Sequence, residues 1–138
     1  MMKKIVVPGV IAGVAMFIAS MVLNWVYGVF FPTLATEYLN TSLFRPWNDP
    51  LMSYIFVHPF VVGLILAWIW DKTKDLFKDK NWMWRGKKFG LTYWLIFLPG
   101  MLISYSTFPV SLSMIATWSL NGLIQGIVAG WVFAKKNP

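Results

Sequence analysis

Cysteine is absent from this 138-residue chain, which excludes disulfides, thiolate metal sites and a cysteine nucleophile. Only five acidic residues and one histidine occur, leaving little material for acid–base or metal chemistry. Haem held by two histidines of one chain is excluded. No Ser–His pairing, paired aspartates, HExxH helix or Gly-rich phosphate cradle can be assembled. No catalytic residue, metal ligand or cofactor is assigned, and a non-enzymatic role is expected. Charge is scarce as well: charged residues make up 12% of the chain, against about 25% in an ordinary soluble domain.

What is abundant is apolar. Hydrophobic residues reach 58%, more than a soluble fold of this size could hide and what a bilayer accommodates. The net charge of +7 would suggest nucleic acid in a soluble protein. Here the basic residues sit at the ends of apolar runs, the pattern of membrane anchoring, so the expected partner is the lipid bilayer.

Four spans are legible. Lys4 is followed by no charge until Glu37, and residues 5–31 are long enough to cross with some tilt. The run exceeds a signal-peptide core and lacks a cleavage pattern, so it reads as an uncleaved first helix. Residues 32–49 form a loop whose aromatics, Tyr38, Phe44 and Trp47, suit the headgroup layer. The second helix covers 50–70, with Pro50 in its first turn and no acidic or basic side chain other than His58. The stretch 71–88 carries seven of the twelve basic residues. Its Asp71–Lys74 and Asp75–Lys78 spacings favour a helical extension, and Trp68, Trp70, Trp82 and Trp84 mark an interface. The 46 residues from Phe89 to Ala134 carry no charge, and Pro109 divides them into helices at 89–107 and 110–134. The fold class is an all-α, integral-membrane four-helix bundle forming one domain, two helical hairpins joined by the basic segment.

Counting basic residues orients it. Eleven fall on one side and Arg45 alone on the other, so both termini and residues 71–88 are expected in the cytoplasm. Arg45, Lys78, Lys80, Arg85, Lys87 and Lys88 are candidates for anionic lipid headgroups, with Asp49 as a second possible partner of Arg45.

Small residues at four-residue spacing allow close helix approach in lipid. Gly122, Gly126 and Gly130 form such a stripe on the fourth helix, and Gly9 and Gly13 lie at matching depth on the first. The preferred expectation is that these two helices cross there; the alternative is that the stripe faces a second subunit of a homo-oligomer. Polar side chains within spans turn toward the bundle or a wet cavity. Asn24, His58, Ser104, Asn121 and Gln125 therefore predict a small polar pocket opening outward, rimmed by Tyr27, Tyr54 and Tyr105. The same residues also suit a plainer role as interhelical glue.

Two resemblances stand beside this reading. Ser106-Thr107-Phe108 resembles the helix-break motif of small four-span fluoride channels, but their Gly-rich Arg motif on helix one and Asn on helix two have no counterpart here. Phe44-Arg45-Pro46, Arg85-Gly86-x-x-Phe89-Gly90, Pro109, and Trp118 followed by the glycine repeat are similar to a family of uncharacterised bacterial four-span membrane proteins. That resemblance implies the fold and a bacterial cytoplasmic membrane, and no activity. The leading functional expectation is an oligomeric structural, interaction or accessory subunit. The alternatives are a small channel or facilitator through the polar residues, and a protein binding lipid or an apolar ligand.

Overall fold

A computed structural model describes residues 2–138. Its helices are α1 (Val7–Phe30, entered through a π-helical turn, Met2–Val6), α2 (Pro32–Tyr38), α3 (Tyr54–Thr73), α4 (Trp82–Thr107) and α5 (Leu112–Lys136). With their flanking turns, α1, α3, α4 and α5 are long and apolar enough to cross a bilayer. The chain is thus an all-α, multi-pass membrane protein. Lys4, Lys74, Arg85 and Asn137 gather at the basic end; α2 and residues 39–49 cover the loop end.

Local chemistry sets the helix boundaries. Pro32 opens α2 at a position where its missing N–H costs nothing. The expected loop at 32–49 therefore begins with two helical turns. Asn40 Oδ1 then accepts from the Ser42 N–H and hydroxyl at 3.1 and 2.6 Å, a side-chain-closed turn. Asn81 caps α4, its Oδ1 accepting from Met83 N–H at 2.8 Å, so this helix begins seven residues before the expected position 89. Arg85, Lys87 and Lys88 consequently ride on its first turns. The absence of charge marked the hydrocarbon, whereas a helix with long basic side chains extends beyond it. Phe108, before Pro109, is extended (φ −105°, ψ 137°), and Ser111 caps α5 by accepting from Met114 N–H.

In lipid, helices associate through close contact rather than through expulsion of water. Two glycine seams supply that contact. Cβ atoms added at Gly9 and Gly13 would lie 2.9 and 2.8 Å from Leu64 and Phe60 of α3, and one at Gly63 would strike the Gly9 carbonyl. On the other side of the bundle, Gly126 and Gly130 pack against Gly90 and Gly86 of α4, and Gly122 lies against Phe97. This corrects the expected crossing of α1 and α5 at their glycines. Gly86 and Gly90, four residues apart, give α5 a complementary smooth partner, and α1 finds its own in Gly63. It also removes the stripe as a free face for a second subunit.

α1 and α5 do touch, through Ala12, Met16, Ala129 and polar groups described below. The shared core at the basic end adds Leu66, Ala67 and Trp70 of α3, Phe89 of α4, and Phe133. Trp70 is fully buried, unlike Trp68, Trp82 and Trp84, which face outward as expected of interface residues. Its ring meets Phe89 edge-on at 5.3 Å and stacks with Phe77 at 5.9 Å, and its indole N–H donates to the Asn137 carbonyl at 2.8 Å.

Asn137 is the second surprise there. Its amide nitrogen donates to Lys4 O and Asp71 Oδ1, while its Oδ1 accepts from Lys74 Nζ at 2.8 Å. Asp71 and Lys74 thus meet through Asn137 rather than as a direct pair. Asp75 and Lys78 form no ion pair either; among the described residues the pairs are Arg45–Asp49 and Lys88–Asp79.

Gly130→Ala would drive a methyl into the Gly86 carbonyl, an overpacking that costs about 1–3 kcal/mol. Gly100 has open space around it, and Gly100→Ala should be neutral or stabilising by up to about 1 kcal/mol through helix propensity. Thermal unfolding of both variants in detergent checks the pair. Equal melting temperatures would refute the glycine seam.

Candidate functional site

The predicted polar residues divide into those the fold brings together and those it does not. Gln125, buried on α5, donates through Nε2 to Ser20 Oγ at 2.7 Å, and Ser20 Oγ–H donates to Asn121 Oδ1 at 3.1 Å. This chain ties α1 to α5, each link worth roughly 0.6 kcal/mol by analogy with other membrane helices. Ser20 was not anticipated; its signal was its place one turn before Asn24, on the same helix face.

His58 and Ser104 stand apart. Pro59 and Gly63, four residues apart, turn one face of α3 inward. His58, about 100° around the helix from Pro59, therefore points outward and is exposed. Ser104 Oγ donates to Gly100 O of its own helix at 2.9 Å. Tyr54 and Tyr105 are also exposed on the outer surface, so of the three expected rim tyrosines only Tyr27 lines the pocket.

That pocket is a cavity of about 840 Å³ at the loop end. α1 supplies Met21, Asn24, Tyr27 and Gly28, and α5 supplies Thr117, Trp118 and Asn121. Residues of α2 and the following loop cover it, and Met52 and Ile55 close one side. It is open rather than sealed: Met21, Leu39, Trp47 and Ile55 are exposed. Most of the wall is apolar or aromatic, with a few polar groups, the usual make-up of a ligand pocket of ~300–1,000 Å³.

Three contacts hold the cover in place. Trp118 Nε1–H donates to Tyr38 Oη at 2.5 Å. Phe44 packs against both Tyr38 and Trp118, with ring centroids 5.3 and 6.3 Å away. Glu37 reaches the start of α5, its two carboxylate oxygens accepting from Ser111 N–H at 2.6 Å and Ser111 Oγ–H at 2.7 Å. A carboxylate at that position also complements the positive end of the α5 dipole. In the sequence Glu37 is the first charge after Lys4, a signal that it had a partner to find.

Electrostatics at the rim follow from these contacts. Burial pushes the Tyr38 phenol above its ordinary range; the Trp118 hydrogen bond offsets part of this and the nearby Glu37 carboxylate adds to it. Tyr38 thus keeps its proton at neutral pH. Leu51 N–H and the Arg45 guanidinium hold the Asp49 carboxyl below the usual carboxylate range. Its contribution to loop order is present above the ordinary carboxylate pKa and is lost as pH falls through the depressed one. Arg45 donates to Asp49 Oδ2 at 2.9 Å, the partner anticipated beside lipid.

At the basic end, Lys78 and Lys80 are exposed and Lys88 pairs with Asp79. Lys87 sits 4.6 Å over the Trp84 ring and Arg85 lies 5.4 Å over Trp70. Arg85 and Lys87 are therefore partly committed to aromatic faces.

No protein-family model matches the chain, and no curated protein or solved structure matches it.

Glu37→Ala should free the cover of the cavity. Loss of two hydrogen bonds to a carboxylate, roughly 1–3 kcal/mol, should raise amide exchange across residues 32–49 by about tenfold or more, read by hydrogen–deuterium mass spectrometry. Unchanged exchange would show that the Ser111 contact does not hold the cover.

Proposed function

We propose that this chain is a non-enzymatic protein of the bacterial cytoplasmic membrane that binds an amphiphilic or apolar ligand in its loop-end cavity. The termini and the basic segment lie in the cytoplasm and the cavity lies toward the outside. The asymmetry of eleven basic residues against Arg45 supports the orientation. The four apolar helices support a membrane, and a bacterial cytoplasmic one is what the resemblance of the sequence motifs implies.

The observation that carries the reading is the cavity itself, large, mostly apolar and open where exposed apolar residues of α1 and α3 surround it. A structural or interaction subunit was the leading expectation from sequence, and its oligomeric form drew on the α5 glycines as an outer face. Those glycines are filled by α4, so the cavity becomes the feature that asks for a partner. Inward of Gln125 the bundle is packed by Ala12, Met16, Ala129, Phe133 and Trp70, each fully buried. That packing favours a pocket with a closed floor over a conduction path.

Two experiments test the proposal. The cysteine-free sequence allows single-cysteine topology mapping. Asn40→Cys should react with an impermeant maleimide in intact cells, and Lys80→Cys only after permeabilisation; the reverse pattern would overturn the orientation. For function, the chain purified in mild detergent should retain an amphiphile detectable by mass spectrometry. Ala35→Trp, which places a large ring in the cavity, should reduce retention by about tenfold with little change in melting temperature. Retention unaffected by Ala35→Trp, or proteoliposome flux above that of empty vesicles, would count against a closed binding pocket.

A further inference from the structure

We propose that the ligand is a single-chain amphiphile with an anionic oxygen head, of the long-chain carboxylate class. This deepens the binding reading above and rests on it. The wall of the cavity leaves several donors unspent. Tyr27 lines the cavity and its Oη is buried just behind the wall without a hydrogen-bond partner, so a head group would meet it after a small turn of the ring, relieving an arrangement that ordinarily costs about 1–3 kcal/mol. Tyr38 Oη accepts from Trp118, which leaves its own proton to donate. Asn121 spends Oδ1 on Ser20, leaving its amide nitrogen, and Asn24 lines the same space.

Charge points the same way. Among the described residues Arg45 is the only charged one lining the cavity, and one donor to Asp49 leaves the rest of its guanidinium fork unspent. Asp49 holds that one donor from outside the cavity lining, and Glu37 is turned to Ser111. An anionic head would find donors on several sides, whereas an ammonium head would find the positive Arg45 and no free carboxylate.

Size selects one chain. At roughly 30 Å³ per heavy atom, the liquid share of one water, a sixteen-carbon carboxylate needs about 540 Å³ and a two-chain phospholipid well over 1,000 Å³. The cavity of about 840 Å³ takes the first whole and the second only with part of it left outside the opening. The apolar side at Met21, Met52 and Ile55 receives the tail, and the tyrosines and Arg45 receive the head.

The test is calorimetric titration of the chain in nanodiscs of zwitterionic lipid, with empty discs as blank and palmitate, hexadecanol and hexadecylamine as probes. Palmitate should bind about tenfold or more tightly than hexadecylamine. Tyr27→Phe should weaken palmitate about fivefold while leaving the melting temperature equal or higher, because it deletes an unpartnered buried hydroxyl. Arg45→Gln should weaken palmitate about tenfold, while Asp49→Asn, which breaks the same ion pair but keeps the arginine, should leave it unchanged or tighter. A purely structural role for Arg45 would make those two variants alike and overturn the head assignment. So would amine and carboxylate binding equally well, or Tyr27→Phe without effect on palmitate. Displacement of palmitate by discs rich in phosphatidylglycerol would overturn the single-chain assignment. If none of the three probes binds, the binding reading itself falls and this inference falls with it.

Discussion

Backbone contact at glycine is the constraint on which the bundle depends. Lipid offers no reward for burying a leucine against another leucine, so helices in it are held by what fits closely and by what must hydrogen-bond. Gly9, Gly13 and Gly63 bring α1 against α3, and Gly86, Gly90, Gly126 and Gly130 bring α4 against α5. Both seams are intrachain and antiparallel: α4 and α5 are joined by the short break at 108–111, α1 and α3 by the longer cover at 31–53. The two pairs then join where α1 meets α5. The join uses alanine and methionine contacts reinforced by the Ser20–Asn121–Gln125 chain, because glycine is already spent elsewhere.

Polar groups follow a second rule, that each must find a partner where water is scarce. The basic end satisfies it with Asn137, whose side chain bonds Lys4, Asp71 and Lys74 while its carbonyl takes the Trp70 N–H. One short side chain thereby gathers α3, the residues leading into α1, and the residues after α5. The loop end satisfies it with Glu37 and Ser111 and with Tyr38 and Trp118. Among the described residues two buried groups are exceptions, Arg85 Nε at the basic end and Tyr27 Oη beside the cavity.

The architecture was legible in the sequence because it rests on one-dimensional signals: runs without charge, prolines that stop helices, and basic residues between runs. Those placed four spans and the break at Phe108–Pro109. Pairing between helices was less legible. Glycine spacing says that a face is smooth but not which smooth face it meets, and Gly86 and Gly90 were read as a motif at a helix start rather than as a partner stripe. Of the polar cluster, Asn121 and Gln125 join one hydrogen-bonded chain and Asn24 lines the same cavity as Asn121, while His58 and Ser104 do not converge on it. Depth could be counted from residue number, but the face of each helix that turns inward is set by its packing partner. Asn137, after the last span, carried no signal that distinguishes a node from a tail.

The position of the cavity follows from the same glycines. Every close glycine seam lies toward the basic end or the middle, whereas Gly28 and Gly100 nearer the loop end have nothing packed on them. Helices drawn together at one end by backbone contact, and separated at the other by Tyr27, Trp118 and Met52, leave a space that only a cover can close. α2 and the loop after it supply that cover, pinned by Glu37 to the start of α5. The tight end fixes the bundle, and the open end is held by a smaller core of Leu34, Val110, Met114 and Ile115 against which the cavity wall packs. Tyr27, whose hydroxyl is left unpaired, sits at that open end, beside the space that the proposed ligand would fill.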